Sequence, residues 1–474
     1  MDKKISFQLN PFKFIVLQIL LIIIFSTIIS MYMNENDIDY LVLIIVLTFF
    51  FLSSLFIFLI IGKSGRFSLK ALLLGIFVFL ISVGRTSIGG IDILNRQVPI
   101  HLVVFPLILI LYIIQINSRK NKSSHGSKLL NKEVLFAVLF LVPVYASIFV
   151  AENRNDAIIM TAELSAYFLV YFVFSYLVTS YHLLQKLIWI YVITTSIILL
   201  NSIYHFFYSP YHWSRLVARE QSNPNPFSLT LLFGFLFLFG LVIPECKWKK
   251  RIFYVVLLSL FGLGIFLTFS RGAWLSASIG VIVLLLLSLK NKSFRIKIPT
   301  NLINLVVLLS IAFFGIIFNH TMMDRLDSRT DIFQVRSAAS SAARYSIYIS
   351  TLKFIKDSPI LGVGLSQVVI HDFKQDRDLR NPHSSYLGVW VGSGTFALVF
   401  LLLFLIQHGV NLLKIRKQFN RDGFLGNVMF ASFITFTTLI LFKNSVFDSI
   451  FWGILALQGA AINVYSTEKL RVIK

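Results

Sequence analysis

Apolar runs follow one another along this chain with short polar breaks between them, and one break is long. Runs near 13–30, 41–62, 71–84, 99–117, 134–150, 165–180, 187–208, 227–243, 252–269, 274–289, 302–318, 387–410, 427–442 and 451–465 suit helices crossing a hydrocarbon core about 30 Å thick. The pattern predicts an all-α, polytopic membrane helical bundle of about 14 transmembrane helices, a single integral membrane domain over residues 1–474. A membrane barrel is excluded, because its strands would alternate apolar and polar positions and these Leu/Ile/Phe runs are continuous. The long break is one sizeable extracytoplasmic loop, residues 319–386, ending in Asn381-Pro382-His383-Ser384-Ser385-Tyr386-Leu387. A membrane protein with one such loop is expected to carry its active site there.

Composition agrees with the pattern: 57% of residues are hydrophobic and the mean hydropathy is +0.81. The net charge of +22 would suggest a nucleic-acid partner if it were spread at random. With the N-terminus on the cytoplasmic side, however, 27 of the 43 Lys and Arg residues fall in inner segments and 16 of the 21 acidic residues in outer ones. The whole excess then lies inside, as the positive-inside rule requires, so no nucleic acid is implied and both termini are cytoplasmic. The inner basic loops face membrane lipids. The first span reads as retained rather than as a cleaved signal. Cys246, the sole cysteine, lies in a short inner loop, which excludes disulfides and places no thiol on the outer side.

Ionisable residues at span centres commonly mark proton or ion routes, because lipid penalises them. Here the centres read as almost free of them, with His101, His205 and His408 near span ends. Charged groups gather instead at the outer surface: Arg85, Arg96, Arg215, Arg219, Glu220, Arg271, Arg344 and His383. Within the loop, Tyr345, Tyr348, Ile349, Leu352 and Ile355 recur at helical spacing, and Ser358-Pro359 stops them, predicting an amphipathic helix over about 338–357 lying against the bundle. Gly362-Val363-Gly364 follows as a turn with close backbone approach, read as structural.

Four elements, in this order and topology, resemble the O-antigen ligase and O-antigen polymerase family of bacterial surface-glycan enzymes. They are Arg219 before Asn223-Pro224-Asn225-Pro226; Phe269-Ser270-Arg271-Gly272-Ala273-Trp274; Arg344 leading to Asp357-Ser358-Pro359-Ile360-Leu361-Gly362-Val363-Gly364; and Pro382-His383 followed by Tyr386-Leu387 and Gly394. The similarity spans roughly 215–410. It departs from the family pattern at Ser384, often Asn there, and in lacking an acidic residue just before Gly392 or Gly394.

The resemblance implies a fold like that of the C-type membrane glycosyltransferases and transfer of a glycan from a polyprenyl-pyrophosphate carrier to a sugar hydroxyl. The residues suit that chemistry. Pyrophosphate is already a good leaving group and needs its charge neutralised; arginine offers a permanent charge and a planar fork matched to phosphate oxygens. Arg219, Arg271 and Arg344 are the expected pyrophosphate-binding residues. The acceptor hydroxyl must lose a proton, and His383 is the expected catalytic base. Each has a plainer reading: a packing histidine, or arginines anchored at headgroup level. Arg215 reads more as a surface anchor and Tyr386 more as an interfacial aromatic, and both remain candidates. Asp376-Arg377-Asp378 has a metal-site spacing but sits among Lys374, Arg377 and Arg380, which reads as a solvated charge run, so neither metal nor other cofactor is expected.

The expected function is polymerisation of lipid-linked oligosaccharide repeat units into a capsule, exopolysaccharide or O-antigen-type chain on the outer face of the bacterial plasma membrane. A ligase that moves a finished glycan to a lipid-core or protein acceptor is the nearest alternative. A lipid-linked oligosaccharide flippase or permease is the alternative of another class, and a scaffold for a glycan-assembly complex the third. Expected partners are the lipid-linked donor and the glycan acceptor, together with flippase and chain-length regulator proteins.

Overall fold

The computed structural model describes residues 69–83, 91–93, 96–98, 100–119, 128–208, 216–217, 224–242, 247–289, 345–365, 370–372, 377–379, 382–418 and 424–472. The expected spans at 13–30, 41–62 and 302–318, most of the 319–386 loop, Cys246 and Asp376 lie outside them.

The other eleven expected spans correspond to helices: α1 (Leu69–Val83), α2 (Ile100–Arg119), α3 (Lys128–Ala146), α4 (Arg154–Leu177), α5 (Tyr181–Tyr208), α6 (Pro224–Val242), α7 (Trp248–Leu267), α8 (Arg271–Leu289), then α10 (Ser385–Gln418), α11 (Phe424–Leu439) and α12 (Ser449–Val472). The loop helix, α9, is described over residues 345–357. Among the described residues, seven helices are long and apolar enough to cross a membrane. The protein is an all-α polytopic membrane bundle. Two three-residue hairpins, β1 (Ile91–Ile93) with β2 (Arg96–Val98) and β3 (Ile370–Asp372) with β4 (Arg377–Leu379), are the only strands among the described residues.

Helix ends follow local chemistry. Asn153 caps α4 by accepting from the Asp156 amide at 3.1 Å, satisfying one of the amides that a helix start leaves without a partner. After Ala146, the chain tightens into a 3₁₀ turn over Ser147–Val150, so the apolar run to residue 150 is not all α-helix.

Packing pairs distant segments, with α3 along α10, α12 along α4, α8 along α11 and α1 along α5, and also the consecutive α6 and α7. Trp452 is fully buried at the centre, its ring centroid 4.3 Å from that of Phe168. Large apolar side chains such as Phe149, Ile282, Leu286 and Ile406 point outward. For a bundle in water this would be a severe liability; in lipid it is the expected outer surface.

One sequence expectation is corrected here. The interior is not free of ionisable groups, because α3 begins at Lys128 and carries Glu133 fully buried inside the bundle, while α10 runs on past His408, also fully buried. Glu133 accepts from Tyr171 and from Asn411, and His408 Nδ1 lies 3.3 Å from the Glu133 carboxylate. His408 Nε2 is 3.1 Å from Gln458 Oε1, and Gln458 donates to Ser432 at 2.9 Å. Side chains from α3, α4, α10, α11 and α12 thereby complete one polar network, the condition under which such groups are tolerated away from water. Both stand at the ends of apolar runs, next to Lys132 and Gln407, which hid their depth.

Candidate functional site

Three elements meet at the start of α10. The first is the residue run Pro382-His383-Ser384-Ser385. His383 is half-buried, while Ser384 and Ser385 are buried. The Ser385 amide donates to Ile440 O at 2.9 Å and to Lys443 O at 3.1 Å. Its hydroxyl donates to Lys443 O at 2.9 Å and accepts from the Ser445 amide at 2.7 Å and the Val446 amide at 3.2 Å. One small side chain therefore fastens the His383 turn to the loop joining α11 to α12.

That loop, residues 440–448, is the second element. Lys443 reaches Asp448 at 2.8 Å, with the two side chains 9% and 20% exposed, so this ion pair is largely withdrawn from water. Asp448 also accepts from the Ile450 amide at 3.1 Å and so caps α12.

The third is the turn between α7 and α8. Thr268 ends α7, Phe269 takes a positive φ of 48°, and Ser270 caps α8, its hydroxyl accepting from Ala273 N at 3.4 Å. Trp274 braces the turn by donating to Ile265 O at 3.1 Å and stacking on Phe266. Arg271 is thus the first residue of α8, on the exposed side. Next to it, a Cβ on Gly272 would lie 3.0 Å from Phe442 Cβ, so the 440–448 loop packs directly against the Arg271 turn. The same loop touches His383's helix start and Arg271's helix start. These are the two expected site residues whose helix starts the described structure joins through one loop. Both stand at helix N-termini, where backbone amides favour an anion.

A strap, residues 359–364, completes this end. Its backbone pairs with α10 through Val363 N to Val391 O, Gly364 N to Gly392 O and Thr395 N to Pro359 O, each 2.9 Å. Such pairing requires α10 to break, and it does so at Gly394, with φ 82° and ψ 179°. That conformation is open essentially to glycine alone, and a Cβ there would overlap the Ile360 carbonyl. The Gly-x-Gly of the strap is structural as well: Gly362 and Gly364 have φ of 68° and 90°. An open groove of about 450 Å³ runs beside the strap, lined by Val150, Glu152 and residues 358–363.

Arg215, Arg219 and Arg344 lie outside the described residues. Their neighbours are placed: the Leu216 amide donates to Leu267 O at 2.9 Å, tying that segment to the Arg271 turn. Helix α9, described from Tyr345 onward, docks on α10 through Phe354, Ile355 and Val391. Its docked face is a correction. Thr351, Phe354 and Ile355 are buried, whereas Tyr345, Ile349 and Leu352 of the expected stripe are exposed, since α9 reaches the bundle only near its end. Tyr386 donates to Thr437 O at 3.2 Å and is a packing contact between α10 and α11. Asp378 sits on β4 opposite His371, and among the described residues no cluster of three or more metal-ligating side chains occurs. Sequence reasoning missed the 440–448 loop, since Lys443 and Asp448 look like ordinary interfacial charges; Ser385 and the loop meet only in the fold.

Residues 253–402 match the family model for the O-antigen ligase domain. Over that stretch, about a third of its length, the chain is similar to O-antigen ligases. The matched segment runs from α7 through the Arg271 turn, α9 and the strap to His383 and the first half of α10. The similarity supports a membrane glycan-ligating or polymerising function with lipid-linked glycan substrates. No curated protein matches the chain significantly.

Proposed function

We propose that this O-antigen ligase-like protein is a metal-independent glycosyltransferase that polymerises polyprenyl-pyrophosphate-linked repeat units into a surface polysaccharide on the outer face of the plasma membrane. The observation that carries the reading is the shared 440–448 loop, which packs against the starts of both the His383 and the Arg271 helices. In this reading the acceptor hydroxyl oxygen attacks the anomeric carbon of the donor while His383 takes its proton. The bond from that carbon to the pyrophosphate oxygen breaks, and polyprenyl pyrophosphate leaves with the electron pair. Arg271, with Arg219 and Arg344, neutralises the growing charge, aided by helix N-termini. The groove at Glu152 and the strap carbonyls offers acceptors for sugar hydroxyls.

A ligase reading is favoured by the description of the matched family, which is that of ligases. One assay separates the two. Purified protein given lipid-linked repeat units in detergent with EDTA is expected to build a ladder of longer lipid-linked chains and release polyprenyl pyrophosphate. A ligase would act once, and only after a distinct acceptor was added. Unchanged substrate under every acceptor condition refutes transfer and returns a flippase to first place, and strict dependence on Mg²⁺ or Mn²⁺ refutes the arginine mechanism.

A further inference from the structure

The groove beside the strap has walls of two kinds. Val150, Pro359 and Ile360 are apolar, and Glu152 sets an exposed carboxylate among them. The neighbours of Glu152 hold it in place. Ala151 packs on the strap so closely that a Cβ on Gly364 would overlap its own, and Asn153 accepts from the Asp156 amide at 3.1 Å while donating to the Asp156 carboxylate at 3.0 Å. The strap turns more oxygens than N–H groups toward a ligand, because Pro359 has no N–H and the amides of Gly362 and Val363 are engaged by Ser358 O at 3.2 Å and Val391 O at 2.9 Å. Arg154 and Lys356 are near in sequence, but neither lines the groove.

These walls discriminate among the three parts of a lipid-linked glycan. A polyprenyl tail would bury the Glu152 carboxylate against hydrocarbon with nothing to offset the lost hydration. A pyrophosphate would meet the same carboxylate with like charge. A sugar brings hydroxyl donors to Glu152 and the strap carbonyls, and lays its C–H faces on Val150 and Ile360. The strap joins α10 at Val391, on the order of 10 Å along the chain from His383, so the sugar it holds lies away from the bond being made, where remote contacts set specificity. We propose that the groove is a glycan subsite that admits neutral or amine-bearing sugars and rejects acidic ones, with Glu152 as the residue that reads charge. The proposal rests on the transferase reading and narrows its substrate class to repeat units that carry a sugar without an anionic group at that distance from the joined bond.

The test is equilibrium binding to the full-length protein in detergent of two probes prepared from the producing cell: the lipid-linked repeat unit, and the same glycan freed of its pyrophosphate. Glu152→Gln is expected to weaken binding about tenfold, the scale of one charged hydrogen bond, and Glu152→Lys at least as much. Because Glu152 is exposed, both variants should fold. Arg154→Gln, outside the groove, should bind like the parent, and trigalacturonate should displace neither probe from the parent. A loss seen with the freed glycan assigns the groove to the acceptor, which needs no leaving group; a loss confined to the lipid-linked form assigns it to the donor; either supports the subsite. Parental affinity for both probes in Glu152→Lys overturns it, as does failure of the parent to bind either probe. Displacement by trigalacturonate, equal weakening by Arg154→Gln, or a repeat unit in which every sugar is acidic overturns the charge assignment. Binding is read without turnover, so glycan binding with no transfer by the parent protein would defeat the transferase reading separately.

Discussion

Replacing Gly394 by alanine tests the architecture that seats the site. Residue 394 has φ 82° and ψ 179°, a region where a side chain costs about 1–3 kcal/mol. The new methyl would also overlap the Ile360 carbonyl. It can be accommodated only by lifting the strap, which breaks three backbone hydrogen bonds to α10, each worth about 0.5–1.5 kcal/mol net. The combined cost is about 2.5–7.5 kcal/mol. This is a large share of the roughly 5–15 kcal/mol that holds a domain together, but undocking the strap relieves most of it and spares the bundle. The expected variant is therefore inserted and abundant, is cut by protease between Ser358 and Leu365 where the parent resists, and transfers glycan at least about tenfold more slowly. Gly262→Ala is the control: its Cβ, inside α7, would meet Phe235 of α6 at 3.5 Å, an ordinary contact, and it should be neutral or stabilising by up to about 1 kcal/mol. Parent-like protease resistance and transfer in Gly394→Ala would refute the argument.

His383→Ala should abolish product while the protein stays at parental abundance in the membrane, as judged by glycan gels and immunoblotting; normal chain length would remove His383 from the mechanism. Arg271→Lys keeps the charge but loses the planar fork, and transfer should fall about tenfold or more; full activity would return Arg271 to the role of a headgroup anchor. With N-terminus and C-terminus inside, a cysteine at position 341 should react with an impermeant thiol reagent from outside and one at position 293 should not, and the reverse pattern would invert the orientation.

Much of the bundle was legible because lipid imposes a simple rule: a spanning segment must satisfy its own backbone and bury its polar groups. The α7–α8 turn could likewise be read, since Ser270, Arg271 and Gly272 are an unusual polar insertion between apolar runs. Burial of Glu133 was not legible, because it depends on Asn411 and His408, 278 and 275 residues away. Periodicity read the docked face of α9 only in part: Ile355 of the expected stripe is buried, but Tyr345, Ile349 and Leu352 are exposed, while Thr351 and Phe354 from outside the stripe are buried. The role of Ser385 is set by three loop contacts that no local pattern encodes.

The Glu133 network has a consequence for biosynthesis. Its carboxylate enters the nascent bundle with α3, but His408 is made 275 residues later. At about 5–20 residues per second, that interval is about 14–55 s. During it, α3 carries an acidic group whose partners on α10 do not yet exist, and the penalty for a lone charge in lipid keeps the helix from settling in its final position. The middle of the protein is therefore assembled only after its last third has been translated, so a truncation before α10 should leave α3 to the insertion machinery and to quality control rather than yield a stable half-bundle.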